Sequence, residues 1–217
     1  MVIVNGCKRA HIESNQAMVA VIDSKQKIRQ RLAPDVRRNM ILDAAAQLLL
    51  SEGLTAVSME RIAREAGASK ALVYSYFGNQ TALLSALLLR EYRAFQKEAR
   101  GAAQQVSGLE AVVRATTRAY LDHVAARGAL IQPLMREPAV AAALEQLESA
   151  SRPVTAAFFA DMIVEERRVA PEKALLASQL LMGLTSAAGD YLAESGKEAA
   201  EVEPLVVAMI MASLDGL

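Results

Sequence analysis

Cysteine occurs once in the 217 residues, at Cys7. A single thiol excludes an intramolecular disulfide and a multi-cysteine metal site, and it fits a reducing cytoplasm. Histidine is almost as scarce, and His11 and His123 stand too far apart to make a sequence-local ligand cluster. With so few of these side chains, no nucleophile–base pair or metal set marks a catalytic constellation, so neither an enzyme nor a cofactor is expected. No apolar run nears the ~20 residues that a membrane span needs. Tryptophan is absent and aromatics make up 4 % of the chain. Residues 1–22 hold a short apolar start, the basic pair Lys8-Arg9 and polar Glu13, Ser14 and Asn15. That order is not a secretory signal, and the stretch reads as a flexible tail or an upstream start, with Met18 as a later one.

What is present is helix-forming. Apolar residues make up 53 % of the chain, carried by alanine and leucine among Glu, Arg and Gln, which predicts an all-α protein with a real core. Net charge is zero but unevenly spread: residues 1–100 carry 15 Lys+Arg against 9 Asp+Glu, and residues 101–217 carry 9 against 15. The basic half reads equally as a polyanion-binding module and as a solvated tail.

Periodicity and capping residues divide the chain into helices. Pro34 and Asp35 open the first, Ile41, Ala44, Ala45, Leu48 and Leu49 recur at helical spacing, and Gly53 ends it. Ser58 caps a short second helix whose buried face is Met59, Ile62, Ala63 and Ala66, stopped by Gly67. Ser69 caps a third, Lys70 to Phe77, with Val73 and Phe77 inward and Lys70, Ala71, Leu72, Ser75 and Tyr76 outward. Gly78 closes it, and Asn79 caps a fourth from about Gln80 to Arg100, roughly 30 Å long and able to link two domains. Further helices are predicted near 109–127, 129–136, 139–149, 152–168, 172–195 and 202–215, with Pro133 shortening or kinking the second of these.

Two short helices joined by a glycine-containing turn form a helix-turn-helix, whose second helix enters the DNA major groove. Gly53, Ser58, Ile62-Ala63, Ala66-Gly67, Ser69-Lys70, Tyr74-Ser75-Tyr76-Phe77 and Leu83-Leu84 together resemble the N-terminal pattern of the TetR family over about residues 36–85. The resemblance implies an N-terminal three-helix module, residues 35–80, joined by a long helix to a helical ligand-binding and dimerisation domain, residues 81–217. Residues 1–34 would be a flexible basic arm. It implies that Ser58 and Arg61 touch backbone phosphates, that Ser69, Lys70, Ala71, Leu72 and Ser75 face the groove, and that Tyr74 and Tyr76 hold phosphates on either side. Two positions depart from the pattern. Leu72 replaces a small polar residue, so it reads a thymine methyl or weakens specificity. Gln80 replaces a lysine and can donate to phosphate without releasing a counterion. The basic run Lys25–Arg31, with Arg37 and Arg38, reads as a solvated tail in preference to a minor-groove arm.

By the same resemblance the helices near 172–195 and 202–215 pair with those of a second subunit, Ala177, Gly183, Ala187 and Gly189 allowing close approach and Leu205, Met209 and Leu214 adding bulk; an intramolecular helix pair is the alternative. Candidate effector contacts are Tyr92, Phe95, Tyr120, His123, Met135, Phe158, Phe159 and Met162, together with Met182 and Tyr191, an inventory that suits a small, mainly apolar effector and equally well a plain core. The implied protein is a cytoplasmic homodimeric repressor, released from a palindromic double-stranded operator by that effector. A helical module whose residues 25–100 dock another protein is the competing reading, separated from the first by salt-dependent duplex binding.

Overall fold

A computed structural model describes residues 33–217. Cys7, His11, Met18 and the basic run Lys25–Arg31 lie outside the described residues. The chain divides into two units between Asn39 and Met40. Of the first unit the described part is the entry to a helix, with Pro34 as its first residue, Asp35 in its first turn and the Arg37 amide bonded to the Ala33 carbonyl at 3.0 Å.

Among the described residues the secondary structure is wholly helical. The helices are α1 (Pro34–Glu52), α2 (Met59–Glu65), α3 (Lys70–Phe77), α4 (Gln80–Gln104), α5 (Leu109–Met135), α6 (Pro138–Arg167), α7 (Pro171–Ser195) and α8 (Ala199–Asp215), with a 3-10 turn at Leu54–Ala56. The first four follow the expected boundaries closely, α4 running one turn further. The later ones do not. Residues 109–135 form one helix where two were expected, and residues 138–167 likewise. Gly128 and Pro153 therefore do not break their helices, and Pro133 lies inside α5. A helix-interior glycine costs ~0.5–1 kcal/mol. Burial of Leu121, Leu130 and Leu134 along α5 returns ~1.5–3 kcal/mol for each side chain, so packing outweighs the local breakers.

Two apolar cores occupy the unit from Met40 onward. One collects Ile41, Leu42, Leu48 and Leu49 of α1, Met59 and Ile62 of α2, Val73 and Phe77 of α3, and Leu83, Leu87 and Leu88 of α4. It is completed by Leu130 and Leu134 from the end of α5 and Val140 and Leu144 from the start of α6. The other joins the opposite parts of those two helices, through Leu109, Leu121 and Ile163, to Leu192 of α7 and to Val206, Val207, Ile210 and Leu214 of α8. Helices α5 and α6 thus belong to both cores, and a displacement of either is felt by both. Leu214 is buried in this intramolecular core, which corrects the expectation that it serves a subunit contact, and half-buried Ala177 packs against the same core.

Candidate nucleic-acid interface and effector region

The helix-turn-helix is specified by three side-chain caps in succession. Ser58 Oγ accepts from the Arg61 amide at 3.3 Å, Ser69 Oγ from the Leu72 amide at 3.2 Å, and Asn79 Oδ1 from the Ala82 amide at 2.8 Å. Each satisfies an amide that the first turn of a helix leaves without a partner. Between α2 and α3 the chain reverses at Gly67, φ +58°, where the Ala68 amide reaches back to the Ala63 carbonyl at 2.9 Å. That left-handed conformation favours glycine.

The turn leaves Lys70, Ala71, Tyr74 and Ser75 exposed on α3, with Leu72 half-buried. Tyr76 does not face outward as expected: it packs against the first core, its ring 6.3 Å from that of Phe77. Tyr74 takes the outward place, at 40 % exposure, with the Lys70 ammonium 5.7 Å from its ring centre. A three-residue step from Val73 to Tyr76 accounts for this, because it keeps Tyr76 near the buried Val73–Phe77 stripe. The Ser75 hydroxyl donates to the Leu72 carbonyl at 2.7 Å and keeps only its acceptor capacity. Gln80 donates to the Val57 carbonyl at 2.9 Å, tying the start of α4 to the turn before α2. That bond braces the turn and leaves the Gln80 amide a second N–H. Both expected cations hold carboxylates: Lys70 is ion-paired with Glu60, and Arg61 with Glu52.

The aromatic candidates fall into separate places. Phe95 of α4 stacks edge-on against Tyr120 of α5 with ring centres 5.4 Å apart, and lies 5.5 Å from His123 and 6.3 Å from Tyr92. The Tyr92 hydroxyl meets the Ser151 hydroxyl of α6 at 2.9 Å. Burial pushes the Tyr120 phenol up, a hydrogen bond from Ser186 of α7 opposing it. Burial holds the His123 imidazole below its ordinary value, against the pull of Glu98 and Glu91. These four residues therefore form one cluster among α4, α5, α6 and α7. The others do not join it. Phe159 and Met162 pack on the second core, while Met135 and Phe158 lie at the surface, 42 % and 47 % exposed. Beside His123 runs an open cleft of about 600 Å³, and the groups lining it include Asp43, Arg90, Glu91, Glu98, Asp122 and Arg127. Its charged wall differs from the apolar one expected.

The sequence profile of the bacterial regulatory proteins of the tetR family matches residues 41–87, the span of the capped helix-turn-helix. The HTH-type transcriptional activator FasR of Mycolicibacterium smegmatis is 31 % identical over 94 residues, 43 % of each chain. The HTH-type transcriptional regulator BetI of Rhizobium meliloti is 45 % identical over 53 residues, 24 % of this chain and 26 % of its own. A TetR-like transcriptional regulator from a Rhodococcus species superposes with a TM-score of 0.66 over 86 % of this chain and 100 % of its own, at 24 % identity. Residues 41–87 thus carry the N-terminal pattern of the tetR family, and the whole chain shares the fold of a TetR-like regulator. It matches less than half the length of these two curated relatives, and the resemblance to the solved structure is one of fold.

Glu91 and Gly189 have surroundings that the sequence did not reveal. Glu91 is 4 % exposed at a position where the stripe Leu84, Leu87, Leu88 calls for an apolar side chain. It is held by Arg127 of α5 at 2.7 Å, and Arg90 beside it reaches Asp43 of α1 at 2.6 Å. A charge in register with a leucine stripe is a legible anomaly, but its partner 36 residues away is not. Gly189 lies on α7. A Cβ there would lie 2.5 Å from the Tyr120 ring, so Tyr120 fills the notch that the missing side chain leaves. Gly189 thus serves a contact within the subunit, where the sequence suggested one between subunits.

Proposed function

We propose that this protein is a sequence-specific, DNA-binding transcriptional regulator that works as a homodimer. The observation that carries the reading is the outward face of α3: a lysine, a tyrosine and small residues on a helix fixed by Ser69 and by Gly67. Lys70 and Tyr74 suit phosphates, while Ala71, Leu72 and Ser75 are short enough to let the helix reach base edges. Residues 35–80 form the DNA-binding module and residues 81–217 the effector and dimerisation region. Ser58, Arg61, Ser69 and Tyr76 support this face from its rim, and Gln80 braces it.

Dimerisation is assigned to α7 and α8. Leu176, Leu180 and Tyr191 on the first, and Leu205 and Met209 on the second, are exposed at 46 % or more, too many large apolar side chains for a solvated face. A small effector is assigned to the cluster of Tyr92, Phe95, Tyr120 and His123, where four helices meet. Binding there moves α4 against α5 and alters the spacing of the two α3 helices, which B-form DNA fixes at about 34–36 Å. The scheme proposed is a repressed operator released by that effector, acting in the cytoplasm. The sign of regulation depends on where the operator lies relative to the promoter, and one relative carries the name of an activator.

The test is duplex binding by anisotropy, comparing the full chain with a Lys70→Ala, Tyr74→Phe variant. Removing one phosphate cation and one hydroxyl contact weakens binding about ten- to a hundredfold. Unchanged affinity in a folded variant contradicts the assignment of α3.

A further inference from the structure

Lys70, the lysine of the recognition helix, is ion-paired with Glu60, which lies in the first turn of α2. Both side chains are more than half exposed, 58 % and 56 %, so the pair sits in water rather than in a core. Each partner favours the charged form of the other: the hydrogen bond holds the Glu60 carboxyl below its ordinary range and Lys70 above its own. An exposed pair of this kind contributes little to stability, typically ~0–1 kcal/mol. Its consequence lies in what DNA must displace. A phosphate that takes Lys70 has to replace a carboxylate, and the released Glu60 stands beside the incoming negative charge. The same arrangement recurs one residue further along α2, where Arg61 is paired with Glu52.

We propose that Glu60 is a phosphate competitor: it occupies Lys70 in the unbound protein and lowers the affinity for arbitrary DNA. The inference rests on the DNA-binding reading above and goes beyond it by giving a carboxylate a defined role in that binding. Non-specific association is almost wholly electrostatic, driven by counterions that leave the phosphates as lysines and arginines arrive. A lysine that arrives already paired gives less, because the carboxylate it abandons recruits a cation from solution and offsets the release. Glu60 therefore has two measurable effects. It weakens binding to any duplex, and it flattens the dependence of that binding on salt.

The experiment measures the affinity of the full chain for a short duplex of arbitrary sequence at salt concentrations from about 50 to 200 mM. Four proteins are compared with wild type: Glu60→Gln, Lys70→Gln, the double variant, and Glu194→Gln, which removes the same charge from an exposed position on α7. Thermal unfolding confirms that each is folded. Glu60→Gln tightens binding roughly fivefold at the low-salt end, the size of one like-charge contact at about 4 Å in water. It steepens the logarithmic salt slope by about half to one unit, and Glu194→Gln changes neither. In the Lys70→Gln background the slope change on adding Glu60→Gln disappears, because there is no lysine left to release. An unaltered slope in Glu60→Gln, an equal change in Glu194→Gln, or a slope change that persists without Lys70 overturns the inference while leaving DNA binding intact. A wild-type protein with no salt-dependent duplex binding overturns the DNA-binding reading itself, and the inference with it.

Discussion

The helix-turn-helix and the helices that follow it are built by different means. In the first, α2, α3 and α4 each begin at a side-chain cap, and left-handed glycines stand before or between them. In the second, α5, α6 and α7 begin at Gly108, Glu137 and Ala170 with no side-chain cap bond, and of the later helices only α8 opens with a capping box, between Glu198 and Glu201. A module whose ends are set locally presents the same surface whatever happens elsewhere, as DNA reading requires. Helices held by lateral packing have ends that tertiary contacts decide, and they can slide or tilt at smaller cost. The contrast fits a rigid reader carried on an adjustable body.

The sharpest way to break the comparison is to disturb the polar joint between the two parts. Arg127→Leu leaves Glu91 buried and short of its principal partner. Stability falls by ~3 kcal/mol, the low end for a broken buried pair because Arg90 remains nearby. Adding Glu91→Leu restores most of that loss in urea unfolding. If the double variant is no more stable than the single one, the network does not act as a unit.

Gly189→Ala comes next. The new methyl group collides with the Tyr120 ring, so overpacking lowers stability by ~1–3 kcal/mol. Tyr120→Leu in the same chain relieves part of the loss. Equal losses in both backgrounds place the strain elsewhere. The caps themselves give a matched pair of opposite sign. Ser69→Ala costs ~1 kcal/mol and weakens duplex binding with it, whereas Ala170→Ser supplies the cap that α7 lacks and gains up to about the same. Ala170 already has the extended backbone of a cap, φ −61° and ψ 142°. Thermal unfolding of both variants checks the signs.

The smallest effect is one of pH. His123 has a folded pKa below its unfolded value, so its neutral form is the one the fold prefers. Its contribution is complete above the unfolded value of about 6.5 and is lost as pH falls through the lower folded value. Between about pH 7 and pH 5 the melting temperature of wild type therefore drops more than that of His123→Gln. Parallel curves contradict the assignment.

The same contrast explains what the sequence made legible. Caps, glycines and the stripe Val73–Phe77 act within a few residues, so the boundaries of α2 and α3 and the identity of the outward lysine could be read directly. The inward turn of Tyr76 was legible by the same rule, since it stands three residues from Val73 on the buried stripe. In the second half, local breakers competed with contacts distant in sequence, and packing prevailed: Gly128 and Pro153 stay helical. The separation of Phe158 and Met135 from the cluster around Phe95 is also tertiary, since helical spacing places an aromatic on a face without saying what covers that face. The charged cleft beside His123 depends on Glu91 meeting Arg127, a pairing that no local pattern encodes.

The central claim is that two copies of α3 read DNA together, and selection of bound duplexes from a random pool tests it most directly. The account predicts an enriched inverted repeat whose half-sites lie one helical turn, or a whole multiple of it, apart. A pool without enrichment, or one enriched in a single unrepeated site bound by one copy of the chain, contradicts it.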